Sequence, residues 1–318
     1  MKVPIVPQKL RDHGGGLDAA VRQYGGARSN WIDLSTGINP LPYAANAVSP
    51  DAWTALPDQT AATNLIEAAR RFWNVPDTVA VLAAPGASSL IANMPRLAAK
   101  GVVAIAGPTY NEHAAAFDLA GWGNEGTATA QVVVHPNNPD GRVWQTNEIT
   151  ARLRIIDESF CDVTPDQSLI QQAEEPNTVI LKSFGKFWGL AGLRLGFAIG
   201  DPVLIEQLKA MLGPWPVSGP ALAIGAQALN DQEWAIETRA RLKKDSAKLD
   251  KMMTAKGATV VGGTTLFRLY DVGDAAMWQD RLAQSHIWSR VFPYSSRWLR
   301  LGLPHPLDWA RLNELTKR

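Results

Sequence analysis

One lysine near the middle of the chain has neighbours that suit covalent chemistry. Lys186 follows a strand-like run and lies among Phe, Trp and Leu residues. A lysine amine can form an imine with an aldehyde when an apolar setting or nearby cations lower its pKa. Arg194, beyond a glycine-rich turn, and Ser183 both suit a phosphate group. For an isolated lysine, a side chain that reaches solvent from an ordinary loop is the better interpretation.

Polar groups at the ends of other strand-like runs favour the chemical interpretation. Asp157 ends one run, Asn138 lies in a turn after another, and Tyr110 follows a third. Residues 86–88 join a strand to a helix, where backbone N–H groups bind anions. Each feature has an ordinary alternative as a turn, a helix cap or a helix start. Together, at strand ends and in this order, they favour one site for a phosphorylated aldehyde cofactor.

Three segments resemble a known family. Segment 183–197, which contains GLRLGF, has the lysine-to-arginine spacing of fold-type I pyridoxal-5′-phosphate (PLP) enzymes of the class I/II aminotransferase superfamily. Nearby Lys182 lacks this spacing. Residues 136–141 resemble the family's NPNNPTG turn, with Asp140 in place of Thr, and residues 157–160 resemble its DEAY or DEAF element. The resemblance covers nearly the whole chain. It implies the α/β, aspartate-aminotransferase-like fold, with a mostly parallel sheet in a large domain and a smaller α+β C-terminal domain.

The resemblance also implies roles for individual residues. Lys186 would hold PLP as a Schiff base and act as the catalytic residue, with Asp157 on the ring nitrogen and Asn138 on the phenolic oxygen. A negative partner keeps the ring nitrogen protonated, which makes the ring a better electron sink. Tyr110 would stack on the ring. The residues implied for the cofactor phosphate are Gly86, Ala87, Ser88, Ser183 and Arg194.

Two N-terminal elements narrow the resemblance to one branch. Residues 12–15 and 32–40 resemble the HGG and D-x-S-x-N-I-N-P elements of threonine-phosphate decarboxylases. Histidinol-phosphate aminotransferases share the N-x-N-P part and usually lack HGG. In this branch His13 and Gly14 would contact a substrate phosphate, and Asn39 would also contact substrate. A flexible, unordered arm is an equally good interpretation of the tripeptide alone.

Two arginines near the C-terminal end suit a substrate with two anionic groups. Arg300, within segment 298–302, resembles the family arginine that binds the substrate α-carboxylate, where a bidentate pair would fix the orientation of the substrate. Arg290 matches the position that phospho-substrate members use for the phosphate. Asn138 is expected to contact substrate as well. A surface arginine is the alternative for both positions. The expected ligand is therefore a small phosphorylated amino acid.

Three functions are open at this point. The first is decarboxylation of L-threonine O-3-phosphate to (R)-1-amino-2-propanol O-2-phosphate in cobalamin biosynthesis, which the HGG element favours. The second is a histidinol-phosphate-type aminotransferase, in which the freed lysine removes the Cα proton. The third is a catalytically reduced homologue that acts as a binding protein. Retention of Lys186, Asp157, Asn138 and Arg194 argues against the third.

Several positions depart from the family pattern. Leu56 stands where relatives have a Tyr that reaches the partner subunit's cofactor phosphate. Gly185 replaces the usual Ser or Thr before the lysine, and Gly16 replaces an Asn. The stretch between Gly141 and Asp157 is too short for the usual helix, loop and strand. We therefore expect weaker cofactor binding.

The elements that must position these residues alternate between strand and helix. Helical patterns, such as 88–99 and 112–120, separate short β-branched runs, which predicts an α/β domain with a largely parallel, buried sheet. The runs are at 79–83, 102–106, 131–134, 153–156, 178–181 and 195–199.

The chain changes character after a Pro/Gly-rich stretch at 213–220. A long helix pattern at 232–256 precedes short strand candidates, which are at 259–261, 266–269 and 298–301. The predicted organisation is an arm and active-site loop at 1–40, a large PLP-binding domain at 41–215, and a small domain at 216–318.

Composition limits the partners. The net charge of +1 over 318 residues predicts no nucleic-acid binding, and there is no apolar run long enough for a membrane span. The G-x-G-x-x-G match at 121–126 follows a helix pattern rather than a strand, so we do not interpret it as a dinucleotide site. Cys161 has no obvious ligand cluster, so no metal is expected. The simplest location is the cytoplasm, and the resemblance implies a homodimer.

Overall fold

The computed structural model describes residues 12–315. The helices are α1 (Leu17–Tyr24), α2 (Asp51–Thr54), α3 (Gln59–Trp73), α4 (Ala87–Asn93), α5 (Asn111–Leu119), α6 (Pro202–Leu212), α7 (Gly219–Asn230), α8 (Gln232–Thr254), α9 (Ala275–Ala283) and α10 (Trp309–Leu315). The strands are β1 (Ile32–Asp33), β2 (Ala80–Ala84), β3 (Val103–Ile105), β4 (Ala130–Val134), β5 (Leu153–Asp157), β6 (Thr178–Ser183), β7 (Gly196–Gly200), β8 (Thr259–Thr264), β9 (Phe267–Asp271), β10 (Ile287–Trp288), β11 (Arg290–Phe292) and β12 (Ser295–Gly302). Over this range, none of the helices is long and apolar enough to cross a membrane.

A six-stranded sheet forms the centre of the fold, in the order β2-β7-β6-β5-β4-β3. The pairs from β3 to β6 are parallel, whereas β7 is antiparallel to both β6 and β2. Five strands therefore run in one direction, and the mostly parallel sheet is confirmed. Each of the six predicted runs corresponds to one of these strands. The carboxyl ends of the five strands that run in one direction meet at one edge, where ligands bind in such sheets.

Helices cover both faces of this sheet. Ile155 and Leu181 belong to a buried cluster with α4, α5 and α6, whereas Ile156 and Ile180 belong to one with α3, α7 and α8. Successive residues of a strand point to opposite faces, so a strand buried on both sides must be apolar throughout. This explains why the central strands have continuous apolar runs.

One connection is less helical than expected, and a second has no α-helix, as its short length predicted. The helix predicted over 88–99 ends at Asn93, and a 3-10 turn at Met94–Arg96 follows. Pro95 causes this change, because proline has no N–H to donate within a continuing α-helix. The connection between Gly141 and β5 contains a single 3-10 turn, Thr146–Glu148, in agreement with its short length.

A second, antiparallel sheet has the order β11-β12-β9-β8. Helix α8 contacts β8 and β9, and α9 packs on β12. In the β11–β12 hairpin, Arg290 lies directly opposite Arg300. Cross-strand partners project to the same face, so this register brings the two predicted substrate arginines together.

The N-terminal segment is tied to the C-terminal sheet region. Strand β1 pairs in parallel with β10, and the N–H of Gly302 donates to the carbonyl of Leu34 at 2.7 Å. Residues 12–40 thus contain helix α1 and strand β1, and residues 1–11 of the predicted arm lie outside the described range. Helix α7 lies beyond the predicted boundary at 216 and yet packs on α3. The domain limits remain a prediction.

Candidate active site

A cavity of about 330 Å³ lies at the carboxyl ends of the parallel strands. The terminal residues of β4, β5 and β6 line it: Val134, Asp157 and Ser183. All but two of the predicted site residues also line it, namely His13, Gly14, Ala87, Ser88, Tyr110, Asn138, Asp157, Ser183, Lys186, Arg194, Arg290 and Arg300. The two exceptions are Gly86 and Asn39. Residues far apart in sequence therefore form one site.

Lys186 lies in the lysine loop, residues 184–195, which joins β6 to β7. Trp188 of this loop is buried and stacks between Phe184 and Trp234, at ring distances of 5.1 and 5.2 Å. The Nζ atom of Lys186 lies 5.3 Å from the ring centre of Phe160. This aromatic packing restrains the loop that carries the lysine.

Burial lowers the pKa of the Lys186 amine to about 8. The positive charges of Arg300 and Arg194 act in the same direction, and the negative charge of Asp157 opposes them. A neutral amine is the nucleophilic form. Lys186 therefore has a substantial nucleophilic fraction near neutral pH, unlike an ordinary lysine.

This shift predicts a pH dependence for covalent capture of PLP by the cofactor-free protein. The neutral fraction of Lys186 increases as pH rises towards 8, so the capture rate should rise roughly tenfold per pH unit below 8 and level off above it. Stopped-flow absorbance measures this rate. Replacing Arg300 by Gln removes a nearby cation and should move the midpoint upward. A rate that keeps rising to the ordinary lysine range, about pH 10.4, would contradict the assignment.

Asp157 is a buried carboxylate at the floor of the cavity. It accepts hydrogen bonds from Nε2 of His113 at 2.8 Å and from the N–H of Ser159 at 2.9 Å, and from the Ser159 hydroxyl. Burial alone would raise its pKa, but the His113 and Ser159 interactions outweigh burial, so the pKa of Asp157 is lowered. An anion here suits a protonated ring nitrogen.

Sequence reasoning missed His113. It lies on α5, three residues after Tyr110, and both rings are near the cavity floor, 6.1 Å apart. Residues three apart on a helix share a face. A histidine one turn after the predicted stacking residue was the available signal.

A cradle for an anion lies at the start of α4. A side chain at Gly86 would place Cβ only 2.5 Å from Nη2 of Arg194, and Gly86 has φ +80°. Only glycine therefore allows the guanidinium to approach this turn. The Nη1 group of Arg194 donates to the carbonyl of Ala191 at 2.9 Å, which orients it. Gly86 shapes the cradle without lining the cavity.

These groups fit PLP, the cofactor that the family resemblance implies. Lys186 would offer an amine to the aldehyde, Asp157 would offer an anion to the ring nitrogen, and Arg194 with the start of α4 would bind the phosphate. The orphaned N–H groups of a helix start and a guanidinium are the donors that a phosphate requires. When bound, PLP supplies an electron sink for charge that develops at the substrate Cα.

Arg300 is buried beside the cavity with no carboxylate partner among residues 12–315. Its Nη2 donates to the carbonyl of Ser35 at 2.6 Å, and its Nη1 donates to Oδ1 of Asn138. Burial, and then the charge of Arg290, lower the pKa of Arg300 to about 10. A buried cation without an anion suits the substrate carboxylate. Because Arg300 donates to the amide oxygen of Asn138, the Nδ2 group of Asn138 is left to act as a hydrogen-bond donor.

Arg290 is already engaged by the N-terminal segment. It forms an ion pair with the carboxylate of Asp12, and its Nη2 donates to the Asp12 carbonyl at 2.8 Å. Next to it, Nε2 of His13 contacts Oε1 of Glu112 at 2.7 Å. A side chain at Gly14 would lie 2.4 Å from the carbonyl of Ser35. Segment 12–14 thus forms one wall of the cavity, and the substrate roles of His13, Gly14 and Arg290 remain predictions.

Asn39 requires a correction. It was expected to contact substrate, but it is buried behind the lysine loop and does not line the cavity. Its Nδ2 donates to the carbonyl of Phe187 at 2.9 Å, and its Oδ1 accepts from Arg241 at 2.6 Å. These contacts use the polar groups that a substrate would need. Only the tertiary contacts reveal this, because Arg241 is about 200 positions away.

The turn of the β11–β12 hairpin was not predicted to reach the site. Phe292, Pro293 and Tyr294 line the cavity opposite the parallel strands. Burial raises the pKa of Tyr294 to about 12, although Arg290 and Arg300 oppose the shift. Its phenol is therefore neutral at physiological pH and available as a donor. The arginine spacing alone did not indicate this turn.

Cys161 has more neighbours than the sequence indicated. The fold brings His135 and Glu158 to it, with potential ligand atoms within 4.8 Å of one another. Those atoms are already used. The two His135 nitrogens contact the carbonyl of Gln167 and the N–H of Trp144, at 2.6 and 3.1 Å, and Glu158 pairs with a buried lysine. The cluster is therefore explained by internal hydrogen bonding.

Comparison with known proteins assigns this chain to a family. The family model for "Aminotransferase class I and II" matches residues 124–316, and the chain belongs to this family. A threonine-phosphate decarboxylase of Sinorhizobium sp is 40% identical, covering 95% of this chain and 94% of its own. The threonine-phosphate decarboxylase of Pseudomonas aeruginosa is 39% identical, with 96% of both chains covered. The fold is also that of histidinol-phosphate aminotransferase from Sinorhizobium meliloti in complex with PLP, with a TM-score of 0.76, 20% identity and coverage of 99% and 96%.

Proposed function

We propose that this protein is a PLP-dependent decarboxylase that converts L-threonine O-3-phosphate into (R)-1-amino-2-propanol O-2-phosphate in cobalamin biosynthesis. The observation that carries the proposal is the pairing of Arg290 with Arg300 across one hairpin, inside the cavity of Lys186. Two cations at that position match a substrate with a carboxylate and a phosphate. Support also comes from the two decarboxylases that are about 40% identical over nearly the whole chain.

In the proposed reaction, different side chains bind the substrate and transfer the proton. Arg300 holds the substrate carboxylate and Arg290 holds its phosphate, so the substrate is fixed at both ends. Lys186 anchors the cofactor before the substrate arrives. After CO2 leaves, the Nζ atom of Lys186 donates a proton to Cα. A pKa of about 8 suits this exchange, because the amine both binds and releases protons near neutral pH.

The test is CO2 release from O-phospho-L-threonine by the PLP-loaded protein without any keto acid. We expect one CO2 per amine product, and kcat/KM for unphosphorylated L-threonine about 10²-fold lower, since two or more charge-assisted hydrogen bonds are lost. Turnover that requires 2-oxoglutarate and releases no CO2 would instead identify an aminotransferase. Binding without turnover in either assay would identify the catalytically reduced homologue.

The Asp12–Arg290 ion pair has a consequence for substrate binding. A substrate phosphate must displace the Asp12 carboxylate, so only part of the protein is competent to bind at any moment. Asp12→Asn should therefore lower KM for phosphothreonine by about three- to tenfold with little change in kcat. Steady-state CO2 assays measure this. In an Arg290→Gln background the same substitution should have no effect. An equal effect in both backgrounds would contradict direct competition.

We also propose a cytoplasmic homodimer. Trp53 and Leu56 are 71% and 68% exposed, which is unusual for large apolar side chains, and Leu56 occupies the position from which relatives reach the partner subunit. Light scattering should give twice the chain mass of 34.5 kDa, and cell fractionation should recover the protein with soluble cytoplasmic markers. A monomeric mass would overturn the dimer. The weaker cofactor binding expected from Leu56, Gly185 and Gly16 remains a prediction.

A further inference from the structure

The lysine loop is held from behind by the segment 39–43. The carbonyl of Lys186 accepts from the N–H of Asn39 at 3.0 Å, and the carbonyl of Trp188 accepts from the N–H of Tyr43 at 2.9 Å. The carbonyl of Phe187, between them, accepts from the Asn39 side chain at 2.9 Å. Three successive carbonyls of the loop are therefore bound by one segment.

Close packing strengthens this attachment. A Cβ at Gly189 would lie 2.6 Å from Cα of Pro42 and 2.9 Å from the carbonyl oxygen of Asn39. Backbone in contact with backbone leaves the loop little room to move. The position of Lys186 therefore depends on that of segment 39–43.

The orientation of the Asn39 side chain depends on helix α8. Its Oδ1 accepts from Nη2 of Arg241 at 2.6 Å and from the N–H of Leu41 at 3.1 Å. Arg241 also contacts Asp245, one turn later on α8, at 3.2 Å. A charged donor on the oxygen makes the flipped amide unfavourable, because flipping would place an NH2 group against the guanidinium. The Nδ2 group then points at the carbonyl of Phe187.

We propose that Arg241 is a positioning residue for Lys186, acting through Asn39. The proposal rests on the proposed role of Lys186 but not on which substrate the protein uses. A misplacement of about 1 Å in a reacting group can cost about 10²-fold in rate. Arg241 lies outside the cavity, so its loss should affect the chemical step more than substrate binding.

Arg241→Met is the direct test in the PLP-loaded protein. We expect kcat to fall about tenfold while KM stays within about twofold. The pH midpoint of the absorbance change of the lysine-bound cofactor should shift, because this midpoint reports the surroundings of Nζ. Arg241→Lys, which keeps a charged donor, should restore part of both properties. Lys244→Met, which removes an exposed cation on the same helix, is the matched control.

Asn39→Asp provides a second route if Arg241→Met fails to fold. It keeps an acceptor for Arg241 and removes the donor to the Phe187 carbonyl, so we expect the same shift in midpoint and a lower kcat. Wild-type kcat and midpoint in a folded Arg241→Met or Asn39→Asp protein, even with a lower melting temperature, would overturn the proposal and leave a purely structural contact. Failure of the CO2 assay by the wild type would instead concern the proposed function, since the midpoint can still be measured.

Discussion

Lys186→Ala is expected to lower kcat for CO2 release by about 10³-fold or more. In the proposed mechanism, the substitution removes both the amine that anchors the cofactor and the proton donor to Cα. General acid–base catalysis alone contributes about 10²- to 10⁴-fold. The characteristic absorbance of the lysine-bound cofactor should disappear as well. Rapid-quench CO2 measurements and absorbance spectra test the two losses separately.

Lys209→Ala is the matched control, because Lys209 is an exposed lysine on α6 whose side chain is 64% accessible. It should retain wild-type activity and spectrum. If Lys186→Ala kept CO2 release within tenfold of wild type, the chemistry would have to lie elsewhere. The cavity would then be a binding site rather than an active site.

Lys182→Met is expected to destabilise the fold by about 3–5 kcal/mol, the typical cost of leaving buried charges unpaired. Lys182 is only 2% exposed, and its Nζ lies 2.5 Å from Glu158 and 3.9 Å from Asp162. Burial alone would lower its pKa, but the carboxylate of Glu158, with Cys161 and Asp162, outweighs burial and raises the pKa. Without the amine, two buried carboxylates lose their cation.

Urea unfolding of Lys182→Met, Glu158→Gln and the double variant measures the free energy of unfolding. The double variant should be more stable than the sum of the two single effects predicts, because neutralising Glu158 removes one of the stranded charges. Additive losses would show that the pair does not act as a unit. Since Asp162 also accepts from the indole N–H of Trp188, at 3.2 Å, this network lies directly beneath the lysine loop.

Local sequence patterns were sufficient for the chemical centre of the site. Asp157 ends one strand, and Lys186 and Asn138 each follow another, and the apolar runs of these strands are visible in the sequence. The strand ends of a parallel sheet meet at one edge. Their proximity thus follows from the fold class alone. The spacing from Lys186 to Arg194 lies within one loop, so it needs no long-range information.

Contacts between distant segments decided the positions and partners of the other site residues. Asn39 changed from a predicted substrate ligand to part of the support for the lysine loop, because Arg241 and the Phe187 carbonyl occupy its amide. His113 contacts Asp157 only because the fold brings helix α5 to the end of β5, and its spacing from Tyr110 does not show that contact.

The sequence by itself therefore determined the fold class, through strand periodicity, and the family, through the resemblance of short segments. It also named the residues that we propose to contact the cofactor. Tertiary structure alone decided the contacts of the arginines that we propose to bind the substrate. The register of the β11–β12 hairpin places Arg290 opposite Arg300, and folding of the N-terminal segment brings Asp12 onto Arg290. Strand register and the packing of remote segments depend on the whole chain. Short motifs therefore identified the two arginines as candidate ligands but did not predict which residues they contact.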